Sequence, residues 1–263
     1  MSGRRNRAQE RPYRSQHFLH RGLAADLVAR SSLSHRDHVV EIGAGRGVLT
    51  AELAGRCGSI TAIEIDPALC RRLRDRFRGT PSVRIVESDF LLAQLPDAPY
   101  KVFSNVPYSR TADIVRHLRD AGRPPNEAML ILQTEAAGRF AGHPAGVETR
   151  QSLLLKPWWH VEVIRRLART DFDPPPSVDS AVLWMARRGT PLVSPAEERL
   201  YQRLVNEAFG ATGIDVAAGL QKFLSRTQIT RLAHDLGFRI TDKPSSLTFD
   251  QWLGVFRYYA LQK

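Results

Sequence analysis

The sequence predicts an α/β protein: a mostly parallel sheet with helices on both faces, followed by a small α-helical C-terminal domain. Three observations predict it. From about residue 37 short apolar runs alternate with helical stretches, the rhythm of βαβ units. A glycine turn, Gly43-Ala44-Gly45-Arg46-Gly47, comes straight off the first of those runs, where an open sheet passes into its helix and places its ligand. After Arg187-Arg188-Gly189 the strand signals stop and helical patterns take over.

The elements follow in order. His38 to Ile42 reads as a buried strand, and Val48 to about Ala54 as the helix after the glycine turn. Ile60 to Ile65 is a second strand. Pro67 then takes the first-turn position of a helix that runs through an arginine-rich stretch to Phe77. Val83 to Val86, Val102 to Ser104 and Met129 to Leu132 are further strands. Trp159 to Leu167 and Ser180 to Met185 are two more, separated by a stiff turn, Asp171-Phe172-Asp173-Pro174-Pro175-Pro176-Ser177. Pro195 to Phe209, Thr227 to Leu236 and Thr248 to Tyr259 read as helices, with Ser225 and Thr248 as starting caps. The expected organisation is a basic arm over 1–15, a catalytic α/β domain over 16–188 and a helical domain over 189–263.

Composition narrows the function. The net charge of +11 and pI of about 10.3 are the footprint of a nucleic-acid binder. Arginines supply 33 of the 38 basic residues; they suit bidentate phosphate contacts, although coding bias in a GC-rich genome gives the same skew. The arm carries Arg4, Arg5, Arg7, Arg11 and Arg14 against Glu10 and has no apolar core of a signal segment. Cys57 and Cys70 are the only cysteines, which argues against a disulfide framework and fits a reducing compartment. No histidine or cysteine spacing suggests a metal, and no Ser/His/Asp order suggests a nucleophile elbow.

The chemistry-bearing residues cluster at strand ends. Glu41 precedes the glycines, and a carboxylate there is poorly matched to the pyrophosphate of a dinucleotide. It suits a cofactor with a cationic sulfonium and ammonium, as in S-adenosylmethionine, which the backbone at Gly43 and Gly45 approaches closely. Glu64 ends the second strand, where an acid accepts from ribose hydroxyls; Asp66 must then point elsewhere. Asp89 is positioned to accept from an adenine amine, with Phe90 packing on its ring. Asn105-Val106-Pro107-Tyr108 ends the fourth strand. An exocyclic adenine amine is a poor nucleophile, and the Asn105 carboxamide oxygen is suited to accept its N–H and stabilise the developing positive charge. The base must leave its stack to reach the site, with Tyr108 and Phe172 as its two faces. Trp158-Trp159 reads as core packing in preference to a base-stacking surface.

On these residues the chain resembles the rRNA adenine N6-methyltransferases, and within them the erythromycin-resistance (Erm) branch. The likeness runs from Gln16 to about Tyr258 and includes Gln16-His17-Phe18-Leu19, Glu41 to Gly47, Glu64-Ile65-Asp66, Asp89-Phe90, Asn105 to Tyr108 and Phe172 to Ser180. Small-subunit rRNA dimethyltransferases share these motifs, but Leu224 to Gln228 and Leu247 to Leu253 are similar to the Erm pattern. The resemblance implies a class I S-adenosylmethionine-dependent methyltransferase, Rossmann-like with a seven-stranded sheet, working in the cytoplasm as a monomer without a metal. Its implied substrate is one adenine of 23S rRNA, naked or in early assembly precursors, with macrolide, lincosamide and streptogramin B resistance as the result. It also implies cofactor contacts from His17, Leu19, Gly43, Glu64, Ile65, Asp89, Phe90 and Asn105, and a catalytic group of Asn105, Pro107, Tyr108 and Phe172. His17 stands where the family often has asparagine, Val106 replaces the commoner isoleucine, and Arg110 is less typical and expected near RNA phosphate. A non-catalytic RNA-binding relative has no need of Glu41, Glu64, Asp89, Asn105 and Tyr108 together.

Overall fold

The order of the strands decides where a ligand can sit. The computed structural model describes residues 17–142, 147–210 and 214–263; the arm expected over 1–15 lies outside them. The first half runs β1 (Phe18–Leu19), α1 (Arg21–Ala29), β2 (His38–Ile42), α2 (Val48–Ala54), β3 (Ser59–Glu64), α3 (Pro67–Arg76), β4 (Val83–Glu87) and β5 (Lys101–Asn105). It continues through α4 (Thr111–Asp120), β6 (Glu127–Gln133), α5 (Thr134–Ala141), α6 (Arg150–Leu155), β7 (Trp159–Leu167), β8 (Phe172–Asp173) and β9 (Ser180–Arg187). Four helices follow: α7 (Glu198–Ala208), α8 (Val216–Leu220), α9 (Arg226–Leu236) and α10 (Phe249–Ala260).

The seven-stranded sheet has the order β4-β3-β2-β5-β6-β9-β7. β2 pairs in parallel with both β3 and β5, so the winding reverses beside it, and the carboxyl ends of β2 and β5 flank the switch point at which open α/β sheets bind ligands. Val39 and Val40 of β2 are fully buried, as expected of a strand covered on both faces. A second, two-stranded sheet joins β1 to β8 antiparallel, with Phe18 opposite Asp173 and Leu19 opposite Phe172. The proline turn read from the sequence is therefore partly a strand, stitched to the start of the described chain.

Local chemistry sets the turns that matter. Asp66 caps α3 by accepting from the N–H groups of Ala68 and Leu69, and Pro67 occupies the first turn. Gly43, Gly45 and Gly47 have φ of 70°, 57° and 73°, a region that L side chains rarely adopt. At Gly47, the residue before α2, an added Cβ would lie 2.7 Å from Leu73 and 2.9 Å from Phe77. The glycine turn thus rests directly on α3.

The packing divides into two units: one within Met1–Thr134 and Ile164–Val182, the other Glu135–Val163 with Leu183–Lys263. The sequence suggested a linear boundary near 188; these units interleave along the chain. The second unit has its own core, in which Leu153 packs with Tyr201, Trp252 and Phe256 and Trp158 lies against it. Segments that precede the sequence boundary are thereby recruited into the helical body. Tyr201 donates to the Leu153 carbonyl at 2.9 Å, and burial raises its phenol pKa well above the ordinary tyrosine value. Trp158 and Trp159 are core residues, as the sequence suggested. Ser225 and Thr248 form capping boxes with Gln228 and Gln251.

Gly47→Ala is expected to destabilise the fold by roughly 1–3 kcal/mol through the left-handed backbone and the clash with α3. Gly22→Ala, with nothing within 4 Å of the added methyl, is the control and should lose nothing. Urea midpoints measure both; equal midpoints would show that the turn tolerates a side chain.

Candidate active site

At the switch point lies a cavity of about 250 Å³ whose lining includes Gly43, Gly45, Glu64, Asp89, Asn105 and Tyr108. His17, Ile65, Phe90 and Pro107 line it too, so ten of the residues read from the sequence are brought together. Phe18 and Arg110 also line it without having been assigned to the cofactor or catalytic groups.

The carboxylates in the cavity are partly engaged. Glu64 is buried at the end of β3. Its Oε2 accepts from Gly45 N–H at 2.8 Å, and its Oε1 accepts from Ile65 and Asp66 N–H at 2.9 and 3.0 Å. A carboxylate offers about four acceptor positions, so Glu64 holds the glycine turn and keeps one position on Oε2 for a ligand. Asp89 Oδ1 accepts from Leu91 N–H at 2.9 Å, while Oδ2 lies 3.6 Å from the Arg110 guanidinium. Arg110 also faces Asp113 at 3.7 Å. These contacts form a bridge across the cavity rim. The apolar walls come from Ile65 and Phe90.

Asn105 is the unusual residue. Its Nδ2 donates to the His17 carbonyl at 2.7 Å. A carbonyl can only accept, so the amide nitrogen must face it and Oδ1 is turned the other way. Oδ1 is buried with no hydrogen-bond partner, a state that costs about 1–3 kcal/mol in the absence of a ligand donor. The turn beyond is anchored by Val106 N–H donating to Ile131 O at 2.9 Å. Tyr108 is fixed at its hydroxyl, 2.6 Å from Ser180 Oγ, and burial pushes its phenol up.

Three expected site residues are elsewhere. Glu41 does not line the cavity: side chains alternate along β2, and where Ile42 faces the cavity Glu41 faces α2. There it is 2% exposed and accepts from Thr50 Oγ1 at 2.6 Å. Burial, opposed by the Thr50 hydrogen bond and reinforced by Glu64, pushes its pKa up to about 8; outside the cavity lining it is not placed as a counter-ion for a sulfonium. Leu19 and Phe172 are opposite one another in the β1–β8 ribbon and both are buried. Directly paired residues share a face, and this face is turned into the core, so Phe172 offers no surface to a base. The other pair, Phe18 and Asp173, lies on the opposite face with Arg46, which lies 4.2 Å above the Phe18 ring and 3.6 Å from Asp173.

Among the described residues no group of three or more His, Cys, Asp or Glu could hold a metal ion, and no helix is long and apolar enough to cross a membrane. The site therefore presents three open acceptors (on Glu64, Asp89 and Asn105) around an apolar slot, which suits a ligand carrying hydroxyls and amines.

The chain is similar to known proteins over most of its length. A family model described as ribosomal RNA adenine dimethylase matches residues 7–261. The rRNA adenine N-6-methyltransferase of Streptomyces fradiae is 38% identical over 254 residues, 92% of this chain and 76% of that protein. The mycinamicin-resistance protein MyrB of Micromonospora griseorubida is 31% identical, with 93% of this chain and 77% of that one covered. A ribosomal RNA small subunit methyltransferase A of Dehalococcoides mccartyi is 28% identical, covering 93% and 87%. The crystal structure of the 23S rRNA methyltransferase ErmE superposes with a TM-score of 0.84 at 30% identity, over 92% of this chain and 99% of that one.

The buried Glu41 makes a pH prediction. Its folded pKa of about 8 exceeds the ordinary 4.5. The folded state therefore keeps a proton that the unfolded chain releases, and stability falls as pH rises from about 4.5 through 8. Glu41→Gln retains the acceptor for Thr50 and removes the titration. Between pH 5.5 and 8.5 the native chain should lose about 3 kcal/mol more stability than the variant. Urea unfolding at the two pH values measures this; equal losses would mean that Glu41 is ionised in the fold.

Proposed function

The chain belongs to the ribosomal RNA adenine dimethylase family, and from that premise we propose that it methylates the exocyclic N6 of one adenine in 23S rRNA, using S-adenosylmethionine. The consequence in a cell is resistance to macrolide, lincosamide and streptogramin B antibiotics. The observation that carries the chemistry is the unpartnered, buried Oδ1 of Asn105. Likeness to the 23S rRNA methyltransferase ErmE favours the large-subunit target over the small-subunit one.

The residues present fit the cofactor. Glu64 would hold the ribose hydroxyls with its remaining acceptor position, Asp89 the adenine amine, and Ile65 with Phe90 the adenine faces. Gly43 and Gly45 would admit the cofactor against bare backbone. When bound, S-adenosylmethionine supplies an electrophilic methyl group.

The protein's part is to make a weak nucleophile attack. The lone pair of N6 is conjugated into the adenine ring; positive charge develops on nitrogen as it bonds to carbon. Asn105 Oδ1 accepts an N6–H hydrogen bond that strengthens as this charge grows, so the oxygen favours the transition state over the ground state. It needs no reorganisation at that moment, because the His17 carbonyl already fixes the carboxamide. Tyr108, pinned at its hydroxyl by Ser180, offers a ring for the flipped base. The methylated nitrogen then loses its proton to water, so no strong base is required of the protein.

Asn105→Ala is expected to lower the methyl-transfer rate by about 100-fold or more while leaving RNA retention on filters largely intact. Equal loss of both would make Asn105 a binding residue only. The target is tested with labelled S-adenosylmethionine on naked 23S rRNA, naked 16S rRNA and assembled 30S particles. Label at a single adenine of 23S is the expected result. Label confined to 30S particles would assign the chain to small-subunit methylation.

A further inference from the structure

We infer that His17 is a positioning residue that sets both the carboxamide of Asn105 and the ring of Tyr108 for methyl transfer. This rests on the methyltransferase reading above and extends it to a residue whose family resemblance suggested only a cofactor contact.

Three contacts converge on His17. Its Nδ1 lies 2.8 Å from the Pro174 carbonyl. A carbonyl only accepts, so Nδ1 carries the hydrogen and the tautomer is settled. The imidazole stacks on the Tyr108 ring, with centroids 5.7 Å apart and planes 27° from parallel. Its backbone carbonyl accepts from Asn105 Nδ2 at 2.7 Å. The β1–β8 ribbon begins at the next residue, and His20 N–H donates to Asp171 O at 3.0 Å. His17 is thus the link through which the ribbon is tied to the Asn105–Tyr108 turn.

The sense of the Asn105 carboxamide is what this link decides. A primary amide has an acceptor on one side and donors on the other, in nearly the same shape. Rotated by half a turn, Asn105 would present N–H to the N–H of the adenine amine and oppose the charge it should stabilise. Only the His17 carbonyl distinguishes the two orientations, since Oδ1 has no partner. The carbonyl in turn is aimed by the ring: the bond to Pro174 and the stack on Tyr108 stop the backbone at this end of the chain from swinging away.

Three variants separate the contacts. His17→Ala loses both ring contacts. His17→Asn places its amide nitrogen where histidine has Nδ1 and keeps the bond to Pro174. His17→Gln carries its amide one carbon farther out and misses Pro174. Two readouts apply: single-turnover methyl transfer with cofactor affinity measured separately, and the ¹⁵N side-chain amide resonances of Asn105 in the RNA-free protein. H17A and H17Q should lower the single-turnover rate about 10- to 100-fold with cofactor Kd within about threefold. H17N should recover most of that rate. The Asn105 amide protons should shift in H17A and H17Q and return toward native positions in H17N. An unfolded H17A is bypassed by the H17N and H17Q pair, which differ only in reach. Unmoved Asn105 resonances in H17Q overturn the inference, as does a raised cofactor Kd with an unchanged rate. Native protein that labels no RNA, while the amide pattern holds, counts against the methyltransferase reading and leaves the positioning role supported.

Discussion

The parallel pairing of β2 with β5 is the constraint on which the site depends. It brings the turn after Ile42 and the turn after Asn105 side by side, although they are far apart in sequence. Their contact is close: a Cβ on Gly43 would be 3.7 Å from the Pro107 ring. Gly43 and Gly45 leave the first turn bare where the second presents its carboxamide and aromatic ring to the same cavity. The pairing is supported by fully buried Val39 and Val40 on β2 and by Phe103 on β5, so the apolar character of the strands and the polarity of their ends are two aspects of one arrangement.

Around that pairing, three carboxylates of similar intrinsic acidity take different roles because of what surrounds them. Glu41 is enclosed with Thr50 as its donor residue, and burial raises its pKa to about 8. Glu64, one strand over, is met by three backbone N–H groups and holds the glycine turn. Asp89 divides itself between a turn and the Arg110 guanidinium. Hydrogen-bond supply, and not distance from the ligand alone, sorts these acids into structural and ligand-facing groups.

This sorting explains what the sequence made legible and what it did not. β2, α2 and β7 have the ends that apolar periodicity and the glycine turn indicate, because local rules govern buried strands and the helices next to them. The strand-end positions of Glu64, Asp89 and Asn105 were equally legible, since parallel sheets always place ligands there. Glu41, Leu19 and Phe172 were misplaced for one reason: which face a side chain occupies depends on register with a partner strand, and a two-residue strand such as β8 leaves no periodic trace. The helical unit's claim on Glu135–Val163 was hidden in the same way, because a core such as that of Leu153 and Tyr201 is a property of three-dimensional packing. The short helices α6 and α8 lack enough turns to show a period. Above all, the orientation of the Asn105 amide rests on a backbone carbonyl, which no side-chain pattern can announce.

The tie between His17 and Pro174 spans 157 residues, and it bears on when the enzyme becomes active during its own synthesis. Contacts of such separation form late, after the intervening chain has been made and its loop-closure entropy overcome. A nascent chain that has emerged through β6 already has the glycine turn, the acids of β3 and β4, and Asn105. It still lacks β8 to pair with β1, Pro174 to seat His17, and Ser180 to pin Tyr108. An enzyme that modifies ribosomal RNA is thus assembled on a ribosome with its last catalytic constraints withheld until about two-thirds of the chain has been translated.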